Sequence, residues 1–173
     1  MQISERSPTD AEELRALLAR KSLADARHRS AVARLLGVGE SDVLALQHLA
    51  RAGALTPSQL GAQLRLTSGG TTALVQRLER AAYVRREPHP EDRRSTLLRL
   101  TRAAEREAGR LYAPLVRDLD AAAAALGDGE RAAVRAYLER VAALGERHAD
   151  ELARAAGAQR PLIPRVPMPG LWA

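Results

Sequence analysis

Apolar residues recur three and four apart along most of the chain, and the residues that interrupt this rhythm divide it into six helices and one hairpin. Over residues 9–36, Leu14, Leu17, Leu18, Ala24, Val32, Leu35 and Leu36 alternate with charges. A capping Thr9 or Asp10 and a terminal Gly37 bound this first long helix. Ser41 stands where it would cap a second helix carrying Val43, Leu44, Leu46, His48 and Leu49, with Gly53 ending it. Thr56-Pro57-Ser58-Gln59 combines a capping hydroxyl, a proline at the first helical position and a glutamine three residues after the cap. That predicts a short third helix burying Leu60 and Leu64. Thr67 or Ser68 then opens a fourth helix, with Leu74, Val75, Leu78 and Ala82 sharing its inward face.

After the fourth helix the period changes. Residues 83–87 and 95–101 are strand-compatible, and the connection between them contains Pro88 and Pro90, which forbid helix continuation. The prediction is a hairpin with a basic tip. Helical spacing returns over residues 101–126, where Pro114 is expected to kink the helix or split it in two. Asp128 then caps a last helix whose seam of Val134, Tyr137, Leu138, Val141, Leu144, His148 and Leu152 needs a partner. Beyond Gly157 the prolines Pro161, Pro164, Pro167 and Pro169 exclude regular helix and predict an extended tail, with Leu171 and Trp172 as its candidate docking residues. The expected organisation is a helix over 1–36, a helix-turn-helix with a wing over 37–102, further helices over 103–156 and a proline-rich tail over 157–173.

Composition narrows the function. The 173 residues include no Cys and no Phe, so thiol chemistry and disulfides are excluded and the core must be aliphatic. The four histidines, His28, His48, His89 and His148, lack the spacing of a helical metal pair, so no metal site is predicted. Neither a phosphate-binding glycine loop nor a nucleophile elbow is present, so catalytic residues and a cofactor are not expected and the chain reads as a non-enzyme. No apolar run reaches the roughly 18 residues of a membrane span, and the charged N-terminus does not resemble a secretory signal, which predicts a cytoplasmic protein without a membrane partner.

Charge then points to a polyanion. The net charge is +6, and residues 56–102 hold nine Arg against four Asp and Glu, whereas the flanking segments are close to neutral. Two short helices followed at once by a hairpin with a charged loop is the order of a winged helix-turn-helix. On the fourth helix the outward face carries Gly69, Thr72, Ala73, Gln76 and Arg80, with Ser68 and Arg77 at its margins. These are small or hydrogen-bonding groups suited to a major groove. In the wing, Asp92 is expected to hold a neighbouring guanidinium, so that Arg93 and Arg94 can enter a minor groove.

The segment from Leu60 to Thr101 resembles the MarR (multiple-antibiotic-resistance regulator) family of bacterial transcription factors. The matching stretches are Ser68-Gly69-Gly70-Thr71-Thr72, Leu74-Val75-Gln76-Arg77-Leu78-Glu79, Val84-Arg85-Arg86-Glu87, Pro90-Glu91-Asp92-Arg93-Arg94 and the closing Leu100-Thr101. The resemblance implies a mainly α winged helix-turn-helix with long N- and C-terminal dimerisation helices. It also implies a homodimer that binds a pseudo-palindromic operator in double-stranded DNA, usually as a repressor. The DNA-binding residues would be Ser68, Gly69, Thr71, Thr72, Gln76 and Arg77 on the recognition helix and Asp92, Arg93 and Arg94 in the wing. A small anionic or aromatic effector is expected between the dimerisation helices and the winged domain, where Arg27, His28, His48 and Tyr112 are the candidate lining. The rival reading is a helical ligand-binding or protein-interaction module on the same scaffold without DNA readout, which would not require the basic excess in residues 56–102.

Overall fold

Most of the helices start where a side chain or a backbone carbonyl can take up the free N–H groups of the first turn. A computed structural model of the chain describes residues 9–92 and 94–158. In it the order is α1 (Asp10–Leu36), α2 (Glu40–Ala52), α3 (Pro57–Gln63), α4 (Ser68–Arg80), β1 (Val84–Pro88), β2 (Thr96–Leu100), α5 (Arg102–Ala124) and α6 (Asp128–Ala158). The mainly helical fold with one small sheet follows the reading of the sequence. The expected tail over residues 157–173 starts inside α6, which runs to Ala158, and residues 159–173, with Leu171 and Trp172, lie outside the described residues.

Thr9 caps α1 in a reciprocal box with Glu12, and Gly37 ends the helix at φ 66°. Glu12 accepts the Thr9 backbone N–H at 2.7 Å, which holds its carboxyl below the usual carboxylate range. Thr56 and Gln59 form the same box on α3, with Pro57 in the first turn. Thr67 caps α4 by accepting the Gly70 N–H at 3.1 Å. At α2 the expectation fails: the helix begins at Glu40, the cap position is Gly39, and Asp42 rather than Ser41 reaches back to the chain, accepting the Gly39 N–H at 3.2 Å. Ser41 already lies inside the first turn, where its hydroxyl has no free N–H ahead of it to cap. Similarly, α6 includes Asp128 as its first residue, and the Gly127 N–H is taken by Glu130 at 2.7 Å.

Helices α3 and α4 end alike. The Leu66 N–H bonds the Gly61 carbonyl and the Arg65 N–H the Ala62 carbonyl, while Tyr83 and Ala82 do the same to Leu78 and Glu79. Both ends are Schellman motifs, a geometry that places one residue in the left-handed region and usually selects glycine. Here the residues are Arg65 at φ 53° and Ala82 at φ 58°. Ala82 is therefore an exposed turn residue beyond the helix rather than part of its inward face.

The hairpin is antiparallel, with Val84 opposite Leu100 and Pro88 opposite Thr96. Leu55 adds an isolated bridge to Leu98, with mutual backbone bonds of 3.2 and 2.7 Å. One continuous core joins Leu46 and Leu49 of α2, Leu60 of α3, Leu74, Val75 and Leu78 of α4, and Val84, Leu98 and Leu100 of the hairpin. Full burial of each large aliphatic is worth roughly 1.5–3 kcal/mol, so this cluster fixes the two short helices against the sheet. Tyr83 ties the hairpin to α1, its hydroxyl donating to the Leu36 carbonyl at 2.8 Å. Thr101 closes the hairpin by donating its hydroxyl to the Ala82 carbonyl at 2.8 Å and accepting the Ala104 N–H.

The chain divides into two compact units, Met1–Pro114 and Leu115–Ala173. Pro114 sits at that division, yet α5 runs through it as one helix rather than splitting. In the second unit Leu115, Val116 and Leu119 of α5 and Val134, Leu138, Leu144 and Leu152 of α6 are exposed. Leu14, Leu17 and Leu23 of α1 are exposed in the first unit. No described helix is long and apolar enough to cross a membrane.

Candidate nucleic-acid interface

The packing of α3 on α4 decides which face of α4 meets solvent. Gly61 of α3 lies against Thr71 of α4 so closely that a Cβ at residue 61 would stand 2.4 Å from the Thr71 hydroxyl oxygen. Thr71 is only 5% exposed and donates its hydroxyl to the Thr67 carbonyl at 3.0 Å. This corrects the expectation that Thr71 faces a groove. It belongs with Leu74, Val75 and Leu78, and the spacing 71, 74, 75, 78 is the buried stripe of the helix.

Ser68, Gly69, Thr72, Ala73, Gln76 and Arg80 are exposed together on the opposite side, as the helical wheel predicts. The Thr72 hydroxyl donates to the Ser68 carbonyl at 2.9 Å, which uses its one proton and leaves the methyl and an acceptor oxygen as its outward chemistry. Arg77, also expected at the interface, is bound elsewhere. Its Nη2 donates to Asp42 Oδ1 at 2.7 Å and its Nε to Oδ2 at 3.4 Å. Asp42 is 4% exposed, and its hydrogen bond holds the Arg77 guanidinium above its ordinary pKa. The single carboxylate of Asp42 thus caps α2 and clamps α4. Thirty-five positions separate the two partners, and only the fold brings them together.

The hairpin carries a dense set of charges. Glu87 lies between Arg85, with which it is ion-paired, and Arg99 at 2.7 Å, while Arg86 pairs with Glu79 of α4 at 2.8 Å. At the tip, the Asp92 carboxylate accepts the Arg94 backbone N–H at 2.9 Å. The Asp92 carbonyl accepts the Ser95 N–H at 3.0 Å. His89 Nδ1 lies 3.2 Å from the backbone nitrogens of both Glu91 and Asp92. Asp92 therefore shapes the loop backbone instead of gripping the Arg94 guanidinium, because the tight turn brings that N–H to it first. Arg94 is exposed at this tip. Arg93 lies outside the described residues.

Within the first unit, α1, α2, the hairpin and α5 surround a cavity of about 520 Å³. Val32, Val43, Leu46 and Leu100 supply much of its wall, and Gln47, Arg51, Glu105 and Tyr112 bring polar atoms. Of the four residues expected there, Tyr112 lines it, and its hydroxyl accepts the Gln47 amide at 3.0 Å. Burial pushes the Tyr112 phenol above its ordinary pKa. His28 packs against Tyr112 from outside the lining, with ring centroids 5.1 Å apart and ring planes tilted by 59°. Arg27 and His48 do not line the cavity, since Arg27 is exposed on α1 and His48 falls off the 43, 46, 47, 50 stripe that α2 turns toward it. Among the described residues no group of His, Asp and Glu is placed to hold a metal ion.

Helix-turn-helix, wing and flanking helices define the winged helix-turn-helix class. Residues 29–95 match the model of the MarR family. An uncharacterized HTH-type transcriptional regulator, YcgE of Bacillus subtilis (strain 168), is 39% identical over 85 residues, which span 49% of this chain and 55% of that protein. The match therefore covers little more than half the length of that relative. Among solved structures, a MarR family protein from Bacillus stearothermophilus superposes with a TM-score of 0.60 at 24% identity, over 78% of this chain and 94% of that one. A MepR mutant from S. aureus bound to an oligodeoxyribonucleotide gives 0.51 at 17% identity, over 75% and 96% of the two chains. At these identities the superpositions establish a shared fold.

Proposed function

We propose that the protein is a homodimeric, sequence-specific DNA-binding transcriptional regulator, a repressor that leaves a pseudo-palindromic operator when a small molecule fills the cavity beside α1, α2 and α5. The observation that carries this reading is the exposed small and polar face of α4, locked in place at the Gly61 and Thr71 contact and neighboured by a hairpin with Arg94 at its tip. Such a face fits a major groove, and an arginine on an adjacent loop fits the minor groove beside it. One such helix covers only a few base pairs, so specificity calls for two copies on symmetric half-sites. The exposed leucines of α1, α5 and α6 supply apolar surface for a second copy of the chain.

The cavity supports the effector half of the proposal. Its volume falls within the roughly 300–1,000 Å³ typical of small-molecule sites, and apolar walls with a few polar groups suit a small aromatic or anionic compound. Because α2 both lines the cavity and holds Arg77 of α4 through Asp42, an occupant that favours a different placement of α2 would shift the population of DNA-competent dimers. A gel-shift titration on the operator tests the DNA half. Arg94→Ala protein is expected to bind more weakly than the unmodified chain, and equal binding would remove the wing from the interface.

A further inference from the structure

Only some of the arginines near the α4 surface can present a guanidinium to a base. A bidentate Arg contact to guanine O6 and N7 is the commonest specific readout in the major groove, and it needs the whole fork of the guanidinium. Arg77 has directed two nitrogens of its fork to Asp42, and that carboxylate is buried at the start of α2. Arg80 lies at the last position of α4, where its Nε donates to the Gln76 carbonyl at 3.2 Å. The N-terminal turns of a recognition helix are the part that meets base edges. From the start of α4 into its third turn the exposed side chains are Ser68, Thr72, Ala73 and Gln76. Thr72 has committed its hydroxyl proton to the Ser68 carbonyl and offers a methyl, as does Ala73. Gln76 brings the one carboxamide, one turn beyond Thr72.

These chemistries match one base pair type. A glutamine carboxamide pairs in bidentate fashion with adenine N6 and N7, and threonine or alanine methyls pack on the thymine methyl. We infer that Gln76 is the specificity-determining residue of this face and reads an adenine, with Thr72 and Ala73 on thymine methyls, so that α4 faces A·T pairs in each half-site. The inference rests on the DNA reading proposed above and adds which bases are read and by which residue. Arg77 is a positioning residue, holding α4 to α2 rather than reading guanine.

The test is selection of bound duplexes from a randomised library with the full-length protein, comparing wild type, Gln76→Ala, Gln76→Arg and Arg77→Lys. Wild type is expected to enrich an adenine at one position of each half-site. Gln76→Ala should lose about tenfold of the preference at that position and keep the neighbouring ones. Gln76→Arg should move that position to guanine, a gain that an unfolded variant cannot imitate. Arg77→Lys, which retains the charge facing Asp42, should leave the selected sequence unchanged. A guanine in the wild-type site that survives Gln76→Ala and disappears with Arg77→Lys would overturn the inference while leaving the DNA reading intact. No enriched sequence from wild type would overturn both.

Discussion

Gly61→Ala is the substitution whose cost follows most directly from the geometry. The added methyl would lie 2.4 Å from the Thr71 hydroxyl oxygen and 3.3 Å from both its Cβ and its Cγ2. Comfortable contact needs about 3.5 Å, so α3 and α4 must separate by close to 1 Å or Thr71 must turn. Turning is obstructed, because the hydroxyl is bonded to Thr67 and every substituent of Thr71 faces residue 61 at short range. Overpacking of this kind costs about 1–3 kcal/mol, while replacing a helical glycine with alanine returns about 0.5–1 kcal/mol. The expected net loss is about 1–2 kcal/mol. With a urea slope of about 2 kcal/mol/M, the unfolding midpoint should fall by roughly 0.5–1 M at fixed protein concentration. Thr71→Ala removes the clashing atoms, so the double variant should be more stable than the sum of the singles by about 1 kcal/mol or more. A Gly61→Ala midpoint equal to or above wild type, or a strictly additive cycle, would refute the claim that this contact sets the spacing of the two helices.

Other perturbations act on different parts of the same unit. Asp42→Ala removes the Gly39 cap and the clamp on Arg77 together, and since Arg77 is half exposed the expected loss is about 2 kcal/mol rather than the larger cost of a fully buried pair; urea unfolding measures it, with Asp42→Asn intermediate. Ala82→Gly should raise stability by about 0.5–1 kcal/mol, visible as a higher Tm, because glycine adopts φ 58° without the left-handed penalty that alanine bears. The Glu12 carboxyl is depressed by its bonds to Thr9, so its contribution is complete above the ordinary carboxylate range and disappears as pH falls through the lower folded value. Amide exchange at the start of α1 should accelerate relative to the rest of the helix as pH is lowered below about 4, after correction for the intrinsic pH dependence of exchange.

The fold was legible wherever a local rule decided it. Thr56 could be recognised as a cap outright, and Thr9 and Thr67 each as one of two adjacent candidates, because a cap needs only its own next three residues. The hairpin followed from two prolines between strand-compatible runs, and the outward face of α4 from its helical period. What escaped depends on contacts between distant segments. The bond from Asp42 to Arg77 joins two helices across the sequence, and local reading therefore assigned Arg77 to DNA and the α2 cap to Ser41. Thr71 was misplaced even though its position, three and four residues before Leu74 and Val75, puts it on the buried stripe; the glycine at residue 61 that makes room for it lies on another helix. The cavity was only partly foreseen because most of its lining is aliphatic and has no distinguishing chemistry in sequence.

The central claim is that the α4 face and the wing form a DNA-reading surface, and its most direct test is fluorescence-anisotropy titration of the intact protein with duplexes from the DNA upstream of its own coding sequence. The titration is run at two salt concentrations in the presence of competitor DNA. Specific recognition through several arginine–phosphate contacts predicts saturable binding that survives competitor and weakens steeply with salt, the logarithmic slope approaching about 0.9 per phosphate neutralised. Binding that competitor abolishes, both on these fragments and on duplexes drawn from an unbiased selection, would contradict the account.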